Sequence, residues 1–308
     1  MRILIAGAGG VGGYLAAKLI AAGEEVAVLA RGAHLEAIRA RGLTLEDGEE
    51  VLTARPAAAA DDGAALGPAD LVIFAVKGQD LAPAIEAVRP AFHADTLALP
   101  FLNGVDAPRI LAEAFGAARA LIGIAHISVF IAAPGVIRKA SPFGEFIIGD
   151  LDGRQDTPAV RAIIERFRAA GISTPERADV RRDLWQKFIF LTALAGTTAG
   201  ARADIGTVRE TPELWALFRA LAAEALAVAR AEGIALGEAA VDKAVAMAER
   251  MPGEVRASLA HDLAAGKPLE TDWLNGAVVR LAGAAGFEAP RHETVAALLA
   301  PWKNGSRS

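Results

Sequence analysis

Residues 2–31 read Arg2-Ile-Leu-Ile-Ala-Gly7-Ala8-Gly9-Gly10-Val11-Gly12-Gly13-Tyr14 and close with Glu25-Val-Ala-Val-Leu29-Ala30-Arg31. Arg2 to Ala6 is an apolar run too short for a helix and suited to a buried parallel strand. Val11 to Ala22 is rich in helix formers, and Val26 to Leu29 is a second short apolar run. Together they make a βαβ unit of about 30 residues. The Gly7-Ala8-Gly9-Gly10-Val11-Gly12 segment follows a strand and opens a helix, the context that gives a GxGxxG pattern its meaning. Its glycines permit a tight turn, close backbone approach to a pyrophosphate and packing of helix on strand. The free N–H groups at the helix start suit the phosphates. The stretch predicts a dinucleotide site.

Which dinucleotide follows from the tip of the second strand. A carboxylate there holds the ribose hydroxyls of NAD, whereas an arginine suits the 2′-phosphate of NADP. The strand ends Leu29-Ala30-Arg31-Gly32, and Glu24 and Glu25 lie at its other end. Arg31 therefore points to NADP as cofactor.

Beyond this unit, Ala33–Arg41 reads as a helix stopped by Gly42, and Leu43–Thr53 as a hairpin turning at Asp47-Gly48. Ala54–Ala69 reads as a loop with a short helical piece, its alanines neutral filler. Leu71–Val76 is a buried strand that delivers Lys77 at its C-terminal end. After a helix over Gln79–Phe92, the strand Thr96–Leu99 does the same for Asn103. Ligands bind at that edge of an open α/β sheet, so both residues are candidate contacts. Ala120–Ile131 and Gly135–Arg138 read as strands around a Pro134-Gly135 turn, Glu145–Ile148 as a third strand, and Pro158–Ala170 as a helix.

From Asp179 the pattern turns helical: Leu184–Ala195, Pro212–Ala231, Glu238–Met251, Ala257–Ala264, Asp272–Ala285 and His292–Leu299. The 308 residues are enough for two domains. The reading is α/β: a Rossmann-type doubly wound N-terminal domain over 1–177, then an all-helical C-terminal domain over 178–308, with a cleft at the joint as the natural substrate site.

A chain 53% hydrophobic and 22% charged, with net charge -5, has no electrostatic footprint for nucleic acid or an anionic membrane. Without cysteine there is no disulfide, thiolate ligand or thiol nucleophile. The five histidines (His34, His93, His126, His261, His292) are dispersed, so no metal site is expected. Ala120–Ile137 is interrupted by His126 and Pro134-Gly135, and Phe188–Ala201 is too short to span a bilayer. Both read as core. The first strand begins at residue 2, which leaves no room for a targeting peptide and makes the chain read as cytoplasmic. A homodimer is compatible with the chain.

Two passages stand out from the alanine-rich second half. Asp183-Leu-Trp185-Gln-Lys187-Phe-Ile-Phe sets a lysine on an apolar helix, and Lys267-Pro-Leu-Glu270-Thr271-Asp272-Trp-Leu-Asn275-Gly276 is a polar cluster opening another. By spacing alone, Lys187 could snorkel from the helix surface and Glu270, Thr271 and Asp272 could cap.

With Gly7–Gly12, Ala75-Val76-Lys77, Leu102-Asn103-Gly104, Leu184-Trp185-Gln186-Lys187 and Glu270–Gly276 in this order over nearly the whole length, the chain resembles the ketopantoate reductase (2-dehydropantoate 2-reductase) family. The resemblance implies NADPH-dependent reduction of 2-dehydropantoate to pantoate, on the route to pantothenate. It implies Lys187 as the catalytic proton donor and Glu270 as its carboxylate partner beside the cofactor. Lys77 and Asn103 are implied at the nicotinamide end, Asn103 and Lys187 at the substrate, and Ser258 as a substrate-binding serine. Where the family carries asparagines four and eight residues after the lysine and in a later Asn-Gly pair, this chain has Leu191, Ala195 and Ile205. Thr192, Thr197 and Thr198 are the candidate replacements for the lost polar groups. Two other readings stay open: a family member reducing a more apolar 2-oxo acid, and a non-catalytic NADP-binding regulator.

Overall fold

The computed structural model describes residues 1–306. The chain opens with β1 (Arg2–Ala6), α1 (Gly10–Ala21), β2 (Glu25–Leu29), α2 (Gly32–Arg41), β3 (Leu43–Asp47), β4 (Glu50–Ala54) and β5 (Ala58–Ala60). Next come β6 (Leu71–Phe74), α3 (Leu81–Val88), β7 (Leu97–Pro100), α4 (Ala107–Phe115), β8 (Leu121–Ala133), β9 (Val136–Asp150) and α5 (Pro158–Ala169). The remainder is α6 (Val180–Gly200), α7 (Ile205–Glu210), α8 (Pro212–Ala231), α9 (Ala239–Arg250), α10 (Ser258–Ala264), α11 (Asn275–Ala284) and α12 (Pro290–Leu299). Contacts divide the chain into two compact units, one of Met1–Leu102 with Asp106–Arg181, the other of Asn103–Val105 with residues from Arg182 onward.

In the first unit a five-stranded sheet runs in the order β5-β2-β1-β6-β7, every neighbouring pair parallel. This is the doubly wound order, reversing at β1. Ile3-Leu4-Ile5 and Leu71-Val72-Ile73-Phe74 are buried throughout, as continuous apolar runs are when a parallel sheet is covered on both faces.

A second sheet, ordered β4-β3-β9-β8, was not foreseen as a unit. The expected third strand over Glu145–Ile148 is the far half of β9, which pairs with β8 from Leu121↔Asp150 to Ala133↔Val136 across the Pro134-Gly135 turn. Apolar runs broken by Ser, Pro and Gly read as separate strands, but cross-strand pairing carries one strand through the breaks. The β3–β4 hairpin pairs Asp47 with Glu50, so its turn is Gly48-Glu49, one residue later than expected. Ala58–Ala60 is not filler in a loop: it adds parallel to β2 as an edge strand. Alanine has low strand propensity, and backbone pairing rather than side-chain preference makes this strand.

Helix α1 is buried on most of its surface, which explains its lack of a polar face. A Cβ on Gly13 would come within 2.6 Å of the Ile137 side chain, so the second sheet lies directly against the helix. Phe146 on β9 binds the layers together, stacked on Tyr14 of α1 at 5.8 Å and edge-on to Phe101 at 5.1 Å.

The second unit has a separate core in which Phe188, Ile189, Ala193, Phe218, Leu221 and Val278 are buried, with Val105 packed against it. That contact explains why Asn103–Val105 belong to the helical unit although they follow β7. Helix α7 and, in the first unit, α4 were missed because each is short and preceded by weakly patterned sequence. Among the described residues no helix is long and apolar enough to cross a membrane.

Candidate active site

The glycine loop of the first unit is built from backbone. The N–H groups of Gly7 and Ala8 both donate to the carbonyl oxygen of Leu29, at 3.1 and 3.2 Å, tying the loop to the end of β2. A Cβ on Gly12 would sit 2.0 Å from the Gly7 oxygen, so only glycine lets α1 start this close to the loop. A Cβ on Gly9, by contrast, would meet nothing within 4 Å. Gly9 is also the N-cap of α1 and supplies no side-chain cap. At Gly9 the helix start thus opens to free space with no side-chain cap, while Gly10 lies against β8, where a Cβ would sit 2.3 Å from the Val129 carbonyl oxygen. These features fit a dinucleotide pyrophosphate.

His34 braces this loop, a role the sequence did not signal. Its Nδ1 accepts from the Gly135 N–H at 3.0 Å, so its Nε2–H donates to the Ala8 carbonyl at 2.7 Å. The imidazole therefore links the loop to the β8–β9 turn. Arg31 lies just past β2, exposed, with a guanidinium nitrogen 3.1 Å from Asp80 Oδ1. Lys77, half-buried, precedes the short turn Gly78–Asp80 at the same edge of the sheet.

In the second unit three segments distant in sequence meet. Gly104 takes φ +95, and a Cβ there would lie 2.7 Å from the Trp273 carbonyl oxygen. Residues 103–105 can therefore press against the turn Thr271–Trp273, which Glu270 precedes. Helix α6 contributes Lys187, whose Nζ donates to Asn103 Oδ1 at 3.3 Å. Burial pushes the Lys187 ammonium down to a pKa of about 8, while the charge of Glu270 pulls it upward. Glu270 is itself buried, and its side chain does not cap the turn it precedes. Lys187 and Glu270 are thus electrostatically coupled, with Asn103 bonded to the same ammonium. Capping does not account for the glutamate, nor snorkelling for the lysine.

Ser258 is not drawn into this cluster. It is exposed at the first position of α10, and among the described residues no hydrogen bond links its hydroxyl to Asn103, Lys187 or Glu270. Leu191 and Ala195 follow Lys187 at helical spacing, Ala195 being buried, and Ile205 is fully buried at the start of α7. The threonines do not replace the missing amides. All three are fully buried and donate to carbonyls of their own helix: Thr192 to Ile189 at 3.3 Å, Thr197 to Ala193 at 2.8 Å and Thr198 to Leu194 at 2.7 Å.

Asn275 also has a structural task. Its Nδ2 donates to the Thr192 carbonyl and to His292 Nδ1, both at 3.0 Å. His292 Nε2 in turn donates to the Leu221 carbonyl at 2.9 Å, which joins α6, α8, α11 and α12 in one buried network.

Residues 3–153 match the ketopantoate reductase PanE/ApbA family and residues 179–303 its C-terminal domain. A 2-dehydropantoate 2-reductase of Mesorhizobium japonicum is 34% identical over 97% of both chains. An uncharacterized oxidoreductase of Bacillus subtilis is 29% identical over 97% of this chain and 98% of its own. A PanE/ApbA family ketopantoate reductase from Ralstonia eutropha superposes with a TM-score of 0.89 at 32% identity, covering 98% of each chain. D-mandelate dehydrogenase reaches the same TM-score of 0.89 at 20% identity, a likeness of fold alone. Both halves of the sequence match, in order and together over nearly the whole chain, so the chain belongs to the ketopantoate reductase family and is an oxidoreductase.

Proposed function

We propose that this protein reduces a 2-oxo acid to the 2-hydroxy acid with NADPH, 2-dehydropantoate to pantoate being the first reaction to test. The observation that carries the reading is Lys187, a half-buried ammonium bonded to Asn103, coupled to buried Glu270 and with its pKa drawn down to about 8. A lysine tuned toward neutral pH suits a proton donor.

The residues Gly7, Ala8, Gly9, Gly10, Val11 and Gly12 would hold the pyrophosphate, Arg31 the 2′-phosphate, and Lys77, Asn103 and Glu270 the nicotinamide end. When bound, the reduced nicotinamide supplies a hydride to the ketone carbon. The Lys187 ammonium polarises the ketone oxygen, stabilises the negative charge that grows on it, and releases a proton to it. Glu270 keeps the ammonium charged at neutral pH. Asn103 fixes its direction, and Ser258, exposed outside this cluster, would meet the substrate only as the family resemblance implies. The test is NADPH oxidation with 2-dehydropantoate by the unaltered protein and by Lys187→Ala. Equal rates would remove Lys187 from the mechanism.

A second reading, reduction of a more apolar 2-oxo acid, draws support from one observation. Leu191 and Ala195 offer no polar group, and the fully buried Thr192, Thr197 and Thr198 donate to carbonyls of their own helix, Thr198 also accepting from the Ala257 N–H. A substrate hydroxyl facing such a surface would forgo partners at roughly 1–3 kcal/mol each. A panel of branched 2-oxo acids beside 2-dehydropantoate separates the two readings.

A further inference from the structure

At the edge of the first sheet Arg31 meets an aspartate from another element. Asp80 closes the short turn after β6 and occupies the N-cap of α3. Aspartate there ordinarily bonds a free N–H of the helix, yet its side chain makes no capping bond. It turns instead to Arg31, at 3.1 Å from the guanidinium.

The sheet order gives that contact a location. Strand β1 lies between β2 and β6, so the two strands that carry Arg31 and Asp80 are about 10 Å apart. The glycine loop emerges from β1, between them. The Arg31–Asp80 pair therefore reaches across the strand whose end opens the dinucleotide cradle. Arg31 is 83% exposed and Asp80 32% exposed, so both groups are open to a ligand laid along that edge.

We propose that Asp80 is a cofactor-selectivity residue. The inference rests on the reading of the glycine loop as a dinucleotide site. The strand tip that presents Arg31 lacks the carboxylate that would hold a 2′-hydroxyl, and Asp80 brings one beside Arg31 from the turn after β6, on the far side of β1. Toward a 2′-phosphate it acts in two unfavourable ways, by holding the guanidinium the phosphate needs and by adding a like charge beside it. Toward a 2′-hydroxyl it is a good acceptor. One arginine and one aspartate at the same position therefore narrow the preference for NADPH over NADH, a repulsive element acting against one ligand alongside the attractive one.

The experiment is titration of the purified full-length protein with NADPH and with NADH, by nucleotide fluorescence or calorimetry, for the unaltered chain, Asp80→Asn and Arg31→Ala. Asp80→Asn keeps the shape and removes the charge. It should raise the ratio of NADPH to NADH affinity by about tenfold, tightening NADPH and weakening NADH. Arg31→Ala should move the ratio the opposite way. A merely structural role for Asp80 would change both affinities together, so an Asp80→Asn ratio equal to that of the unaltered protein overturns the proposal. A ratio that moves toward NADH overturns it as well. If the unaltered protein binds neither dinucleotide, this proposal and the reading of the glycine loop fall together, whereas an unchanged ratio overturns the selectivity role alone.

Discussion

The glycine loop and the Lys187 cluster are built by opposite means. The loop is contiguous, and its chemistry lies in backbone N–H groups and absent side chains: Gly12 permits the approach of α1 and Gly9 leaves open space. The Lys187 cluster draws Asn103, Lys187 and Glu270 from three distant segments, and its chemistry is entirely in side chains, with burial setting the proton affinity of Lys187. A backbone site tolerates change in every residue except the few that shape it. A side-chain site is sensitive at each member but places no demand on the residues between them.

The largest expected effect lies in the side-chain cluster. Lys187→Ala should lower kcat by roughly 10²–10⁴-fold, the usual contribution of a positioned proton donor, while NADPH binding changes little in comparison. The unaltered enzyme should show reduction falling as pH rises through about 8, where the Lys187 ammonium loses its proton. A pH–rate profile flat from 7 to 9.5 would break the contrast, since it would mean that no group of the cluster titrates during turnover.

A second effect separates the two units by stability. Burial lowers the pKa of His292 from 6.5 to about 4, so the folded protein holds the neutral imidazole while the unfolded chain takes up a proton. The stabilisation is complete above 6.5 and is lost progressively as pH falls toward 4, on the order of 3 kcal/mol in all. The chain has four tryptophans, Trp185, Trp215, Trp273 and Trp302, and all lie in the helical unit. Denaturant melts followed by tryptophan fluorescence at pH 7 and pH 4.5 therefore read that unit directly. Equal midpoints at the two values would refute the buried neutral histidine.

How far each region could be read from the sequence follows from the same contrast. The loop and its flanking strands were legible because the tight turn, the close approach and the apolar runs are all local, so β1, α1 and β2 fell where expected. Lys187 and Glu270 stood out only as polar residues against an apolar background, and their roles came from the resemblance. The grouping of Asn103 with the helical unit was hidden, since it depends on Gly104 reaching the Trp273 carbonyl and Val105 packing on the helical core. His34 and Asp80 were invisible for the same reason: each acts through a partner on another element. The threonines illustrate the opposite failure. Their hydroxyls look available in sequence, but each bonds a carbonyl one turn back in its own buried helix, and that of Thr198 also accepts from the Ala257 N–H.

For the backbone site the expected effect is smaller and falls on binding and local packing rather than on turnover. Gly12→Ala places a Cβ 2.0 Å from the Gly7 oxygen, so loop and helix must separate and the N–H groups lose their aim. NADPH affinity should fall by roughly tenfold or more, about the weight of one charge-assisted hydrogen bond. Gly9→Ala, with open space around its Cβ, should leave the fold intact and weaken binding only through contact with the ligand. Thermal melts alongside the titrations distinguish the two: a lower midpoint is expected for Gly12→Ala and an unchanged one for Gly9→Ala.

The smallest effect tests the apolar face of α6. Leu191 and Ala195 stand one and two turns along from Lys187, and Ala195 is buried in the helical core. Leu191 is half-buried at the margin of the helical core, so Leu191→Asn can present an amide at a smaller packing cost than a change at a fully buried site. Ala195→Asn adds volume to a close-packed region and should cost stability in the range of about 1–3 kcal/mol. The single variant Leu191→Asn is therefore the cleaner probe. If the missing amide limits recognition of a hydroxylated substrate, it should raise kcat/KM for 2-dehydropantoate about fivefold relative to an unsubstituted branched 2-oxo acid, the scale of one hydrogen bond. Should both substrates shift together, the residue affects only the helix, and substrate choice must rest on other groups around Lys187.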